Sequence, residues 1–171
     1  MSNALYLMPD REFLQSMAAF DAGFQTPAAV LDGLTEEQAM AKPHGLPHSI
    51  AEIVGHMGYW QDFFNGIAQQ GFSGFPEHAE EGWPKIAAGE WDALRTRFLA
   101  SVELTQRLAV DCGRLSEKLL PEDFLVPIWQ RESVGSGLLH AVVHNSHHLG
   151  QVVTLRQLLG LWPPQAGSMT W

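Results

Sequence analysis

The segment LLHAVVHNSHHLGQVV, residues 138–153, carries four histidines within nine positions of an otherwise apolar run. Each imidazole brings two ring nitrogens, and burying one without a partner costs free energy. Residues four apart on a helix differ by about 40° in direction and about 6 Å in height. As a helix, this stretch therefore puts His144 and His148 on one face, which Gln151 and Leu155 extend. His140 lies one turn earlier on that face, and His147 sits toward its edge. Whatever packs against the face must supply partners for imidazoles as well as apolar surface. An i, i+4 pair is also the spacing by which one helix presents two imidazoles to one cation. Spacing alone leaves open whether His140/His144 or His144/His148 is that pair, and whether the set is instead a ladder that titrates near neutral pH.

The rest of the chain reads as helices punctuated by glycine and proline, without strand alternation. A first helix is expected from Asp10 to about Phe24, with Phe13, Leu14, Met17 and Phe20 at helical spacing. Pro27 and Gly33 are expected to disturb the chain beyond it. A short helix follows Thr35 as its cap, and KPHGLPH forces a loop. In SIAEIVGHMGYWQDFFNGIAQQG, Ser49 followed by Glu52 matches a capping box that satisfies two orphan backbone donors. Ile53, Met57, Trp60, Phe64 and Ile67 line one side of that helix. The stretch from Gly71 to Pro84 has the length of a crossover or an active-site loop. A third helix spans about Glu90 to Val110, a second irregular link follows, and the last helix runs from near Ser136 to Leu159, where Gly160 and WPP end it. Four long helices with two long connections predict an all-α, four-helix bundle, and residues 1–171 read as a single domain.

Two imidazoles rarely suffice for a metal, so a third should come from another helix. His56 is the best candidate, set in the apolar register beside Ile53 and Trp60. A single histidine in such a register is ordinarily a core residue bonded to a nearby acceptor, and that reading competes. His44, His48 and His78 fall in loops and are expected to be solvated. Three neutral imidazoles would leave one coordination position for water or substrate, as catalytic sites do.

Composition excludes several function classes. Nineteen acidic against ten basic side chains give a formal charge of -9, which repels phosphate backbones, and no Lys/Arg stripe offsets it. Nucleic-acid binding is disfavoured. No apolar run approaches the roughly 18 residues that span a bilayer. The opening MSNALYLMPDREF lacks a basic start followed by a long apolar stretch, so a cytoplasmic location is expected. Cys112 is the only cysteine, which removes internal disulfides and cysteine-rich metal sites. Its surroundings, AVDCGRL, read as a fraying helix end and not as a nucleophile's pocket. HExxH, Walker A and GxSxG patterns are absent. Six tryptophans and nine phenylalanines exceed what a slim bundle must bury, which favours a homodimer over a monomer.

HNSHHLGQVVTLRQLLGLWPP, His144 to Pro164, resembles the C-terminal motif of the DinB/YfiT-like family, and SIAEIVGHMGYWQDFF resembles its second-helix motif. The resemblance extends over essentially the whole chain. It implies a four-helix bundle holding a metal, usually zinc or nickel, on three histidines that map to His56, His144 and His148. His140 and His147 match no family ligand and read as supporting or surface groups. Gln151 and Arg156 match the family's GQ…LR run. Gln151 could orient a ligand through a hydrogen bond, and Arg156 could meet a carboxylate or carbonyls near the helix end.

Relatives in this family include S-transferases that use bacillithiol or mycothiol, and a mycothiol-dependent isomerase. The resemblance thus implies a metal-dependent enzyme in which a low-molecular-weight thiol, bound at the open position as its thiolate, attacks a small electrophile. Trp60 and residues of the Gly71–Pro84 loop would wall the pocket. Two alternatives stand beside it: a metal-binding stress-response bundle without turnover, and a hydrolase in which bound water is the nucleophile.

Overall fold

The computed structural model describes residues 9–20, 25–43, 45–124, 129–165 and 167. Among them the chain forms six α-helices: α1 (Arg11–Ala18), α2 (Pro27–Leu31), α3 (Glu36–Met40), α4 (Ile50–Gln70), α5 (Trp91–Asp111) and α6 (Val134–Leu158). A 3-10 turn, Ala79–Gly82, interrupts the connection between α4 and α5.

Helix starts follow local chemistry. Asp10, Thr26, Thr35, Ser49 and Ser133 each accept a backbone N–H of the first turn through the side chain. Such caps typically contribute about 1 kcal/mol. At Ser49 the box is complete: Glu52 N donates to the serine hydroxyl at 3.2 Å, and Ser49 N donates to the Glu52 carboxylate at 2.8 Å. Pro27, expected to disturb the chain, instead opens α2, because the first helical position needs no N–H donor. The first helix is shorter than expected and ends at Ala18, with Phe20 left-handed at φ 59°. Residues 21–24 lie outside the described part. The last helix starts at Val134, two residues before Ser136. Leu119 N donating to Glu132 O (2.9 Å) and Val134 N donating to Glu117 O (2.8 Å) close a short antiparallel pinch that fixes where it begins.

Contacts between helices define the bundle. Contacts between α4 and α5 come in matching order: the Asp62 carboxylate takes the Ser101 hydroxyl, Asn65 Oδ1 takes the Thr105 hydroxyl at 2.7 Å, and the carbonyl of Ala68 takes the Cys112 thiol. These two helices run parallel. α6 runs the other way along α4, so that His56 faces His144 while Phe64 faces Gly137. α1 is antiparallel to α5, with Arg11 donating to Val110 O and Gln106 donating to Ala18 O. The order α1, α4, α5, α6 is therefore up, down, down, up, and a parallel α4–α5 pair requires a long crossover.

One apolar core fills the space between the helices, with Leu14, Ile50, Met57, Trp91, Phe98, Leu119 and Leu138 among its fully buried side chains. Each such side chain contributes about 1.5–3 kcal/mol of hydrophobic stabilisation. α6 approaches its neighbours closely at Gly137, where a Cβ would lie 2.6 Å from Leu119 Cδ1 and 3.1 Å from Phe64 Cδ1. Among the described residues no helix is long and apolar enough to cross a membrane.

Candidate metal centre

His56 sits in the second turn of α4, and His144 and His148 stand one turn apart on α6. The antiparallel packing of the two helices brings the three rings together. His144 Nε2 lies 3.1 Å from His56 Nε2 and 3.1 Å from His148 Nε2. The three ligand atoms all fall within 4.8 Å of one another. Four-coordinate zinc with Zn–N bonds of 2.0–2.1 Å spaces its nitrogens about 3.3 Å apart. The separations therefore suit one shared ion.

The other ring nitrogens of two of these residues are already committed. His56 Nδ1 donates to the carbonyl of Gly82 at 2.6 Å, and His148 Nδ1 donates to Gln151 Oε1 at 2.7 Å. Each assignment leaves a bare Nε2 lone pair aimed at the shared centre. If His144 is protonated on Nε2, it can serve only one of those lone pairs. If it is protonated on Nδ1, three lone pairs converge. Its Nδ1 is buried and has no hydrogen-bond partner in either case. The chemistry of this donor set thus fits a cation, and the outer hydrogen bonds are of the kind that fix tautomer and ring orientation in histidine metal sites.

Electrostatics point the same way. Burial pushes the pKa of His144 down to about 4, helped by His148 and His56, while the Asn145 side chain pulls modestly upward. His56 and His148 are lowered too, chiefly by burial, against the opposing hydrogen bonds from Gly82 and Gln151. Near neutral pH all three rings are neutral, which is the ligating form.

Two side chains that spacing and composition do not place here complete the surroundings. Trp83 stacks on His56 with ring centroids 3.9 Å apart and planes at 10°. His48, expected to be a solvated loop residue, stacks on the same indole at 3.9 Å and 14°, although its side chain is still 40% exposed. Trp60 does not line the three-ring centre directly. It packs against Phe63, Phe75 and Trp129, and its Nε1 would lie 3.0 Å from a Cβ placed on Gly82. Trp60 therefore supports the turn that presents the Gly82 carbonyl.

The remaining candidates separate cleanly. Gln151 bridges two histidines, since its Nε2 donates to His147 Nε2 at 3.3 Å. His147 is exposed, and it meets the centre through Gln151 and edge-on against the His148 ring, with centroids 4.9 Å apart. His140 is turned away, 3.9 Å from Glu132 and beside Phe64 and Trp129. Arg156 is 3% exposed and distant in role. It donates to the carbonyls of Val30, Asp32 and Leu161, tying the end of α2 to the turn after α6. His78 is exposed in the crossover, and His44 lies outside the described residues. Cys112 is buried and donates to Ala68 O at 3.6 Å, so its thiol is engaged in the core.

No curated protein matches the chain in sequence. Residues 19–152 match the DinB superfamily. That span includes the whole of α4, the crossover, and the part of α6 that carries His144, His148 and Gln151. Family match, helix order and the three-histidine group agree, and the chain belongs to the DinB superfamily.

Proposed function

We propose that this protein is a metal-dependent enzyme that transfers a low-molecular-weight thiol to a small electrophile, with His56, His144 and His148 holding zinc or nickel. The observation that carries the reading is the convergence of three Nε2 atoms whose rings, at His56 and His148, are already anchored through Nδ1. An all-imidazole set suits zinc, nickel, copper or iron and not magnesium or calcium. A divalent ion bound there would supply a Lewis acid that favours thiolate over thiol near neutral pH.

The chain's own groups have distinct tasks. Gly82 and Gln151 hold the ligand rings in one tautomer and one orientation. Trp83 covers a face of His56 and keeps water from it. Three protein ligands leave room for one further donor, which suits a small thiol. In the proposed reaction a sulfur–carbon bond forms, the bond from that carbon to its leaving group breaks, and the thiol proton passes to solvent.

The test is to incubate metal-loaded protein with a chlorinated aromatic acceptor and, separately, with each of several cellular thiols, bacillithiol and mycothiol among them. Conjugate and chloride should form with at least one thiol and disappear in His148→Ala. Full metal occupancy without turnover on any thiol would favour a metal-binding module. Ester cleavage without thiol would favour hydrolysis.

A further inference from the structure

Beyond the three histidines, the interior between α4, α5 and α6 holds five buried polar side chains: Gln61, Asn65, Ser101, Thr105 and Asn145. Buried polar groups of this kind are costly unless every one is paired. They are joined in a single file. Asn145 bonds Gln61, Gln61 bonds Thr105, Thr105 bonds Asn65 at 2.7 Å, Asn65 bonds Ser101 at 3.1 Å, and Ser101 bonds the exposed carboxylate of Asp62.

The direction of this file is dictated from its far end. The Asp62 carboxylate can only accept, so the Ser101 hydroxyl donates to it. Asn65 must then present its NH2 group to Ser101, which the backbone carbonyl of Ser101, another pure acceptor at 2.9 Å, also demands. That leaves Asn65 Oδ1 as the acceptor for the Thr105 hydroxyl. A second acceptor for that hydroxyl, the Ser101 carbonyl, is farther away at 3.2 Å and already serves Asn65. With its hydrogen spent, Thr105 must accept from Gln61 Nε2. Gln61 then offers only Oε1 to Asn145, and Asn145 answers with Nδ2. Every donor points toward Asp62.

At the near end this leaves Asn145 Oδ1, an acceptor that is buried and has no hydrogen-bond partner. The adjacent residue, His144, carries the complementary deficit: a buried Nδ1 with no partner. Its two fellow ligands both donate from Nδ1, one to Gly82 and one to Gln151. We propose that Asn145 Oδ1 is the acceptor for the Nδ1–H of His144 when that ring ligates through Nε2, so that Asp62 acts through five side chains as a positioning residue for the metal centre. This rests on the metal reading given above. Bonds aligned head to tail polarise one another, so the carboxylate strengthens the hold on His144 from the outside of the bundle.

The experiment compares zinc dissociation constants, by competition with a fluorescent chelator, in the wild type, Asp62→Asn, Asn145→Leu and the double variant. It is paired with 15N spectra of the imidazoles in zinc-loaded protein. Asn145→Leu should weaken zinc binding at least about tenfold, the usual scale for losing a ligand's outer partner. Asp62→Asn, which keeps an acceptor but removes the charge, should weaken it about threefold and have no further effect once Asn145 is gone. The His144 Nδ1–H resonance should be protected from exchange in the wild type and shifted in Asp62→Asn. Asp62→Asn is a surface change, so if Asn145→Leu fails to fold, the affinity and spectrum of Asp62→Asn decide alone. Unchanged affinity and resonance in Asp62→Asn, or equal effects of that change with and without Asn145, overturn the relay while leaving the metal site standing. A wild type that takes up no zinc overturns both.

Discussion

Acid should unfold the metal-free protein through its histidine cluster, and the size of the effect comes from His144. Its pKa falls from 6.5 in the unfolded chain to about 4 in the fold, chiefly because burial disfavours the imidazolium. Between those values the unfolded chain binds a proton that the native state refuses, so stability drops as pH falls through this window and levels off below about 4. The full difference corresponds to about 3 kcal/mol. Between pH 7 and pH 5 it amounts to about 2 kcal/mol, and solvent reaching the partly buried ring trims this to between about 1 and 2 kcal/mol. His56 and His148, lowered in the same direction by burial, add to the loss.

The assay is urea unfolding of metal-free protein at pH 7 and pH 5, for the wild type and for His144→Gln. The glutamine cannot take up the proton, so His144→Gln should lose less stability than the wild type over that interval, by about 1–2 kcal/mol. Carboxylates contribute equally to both proteins and cancel in the comparison. Equal losses in the two proteins would refute the reasoning, because His144 would then gain its proton as easily folded as unfolded.

With metal bound, protons and the ion compete for the same lone pairs, so metal content measured by elemental analysis should fall steeply as buffer pH drops below about 6; full retention at pH 5 would argue against an all-histidine shell. Gly137→Ala should destabilise the fold by about 1–3 kcal/mol in thermal or urea unfolding, since its Cβ would meet Leu119 Cδ1 at 2.6 Å, and a change near zero would mean that Leu119 moves aside freely.

Much of the scaffold is legible in the sequence because it rests on local chemistry. The Ser49–Glu52 box fixes the start of α4, and helical spacing puts His144, His148 and Gln151 on one face of α6. What escapes depends on contacts remote in sequence. The acceptor for His56 is a backbone carbonyl, Gly82 O, and carbonyls leave no trace in side-chain patterns. Trp83 and His48 read as loop residues because only the folded crossover stacks them against α4. The beginning of α6 lies two residues earlier than spacing suggests, because the pinch between residues 117–119 and 132–134 decides it. The polar file is within reach of the same reasoning. Gln61 and Asn65, and likewise Ser101 and Thr105, stand four apart among apolar neighbours, the same spacing that singles out the histidines.

The parallel course of α4 and α5 has a mechanical consequence for the three-ring centre. From the end of α4 at Gln70 the chain must travel back along the helix before Gly82 can meet His56. That return covers about 22 Å for the fifteen positions between residues 56 and 71. The eleven peptide steps from Gly71 to Gly82 can stretch to roughly 37 Å. The tether is therefore slack by about four residues' length, and trimming or lengthening it near Ser73–Glu77 would leave the carbonyl able to dock. Losing a residue within Ala79–Trp83 would instead slide a different carbonyl and a different ring over His56, with both helices undisturbed.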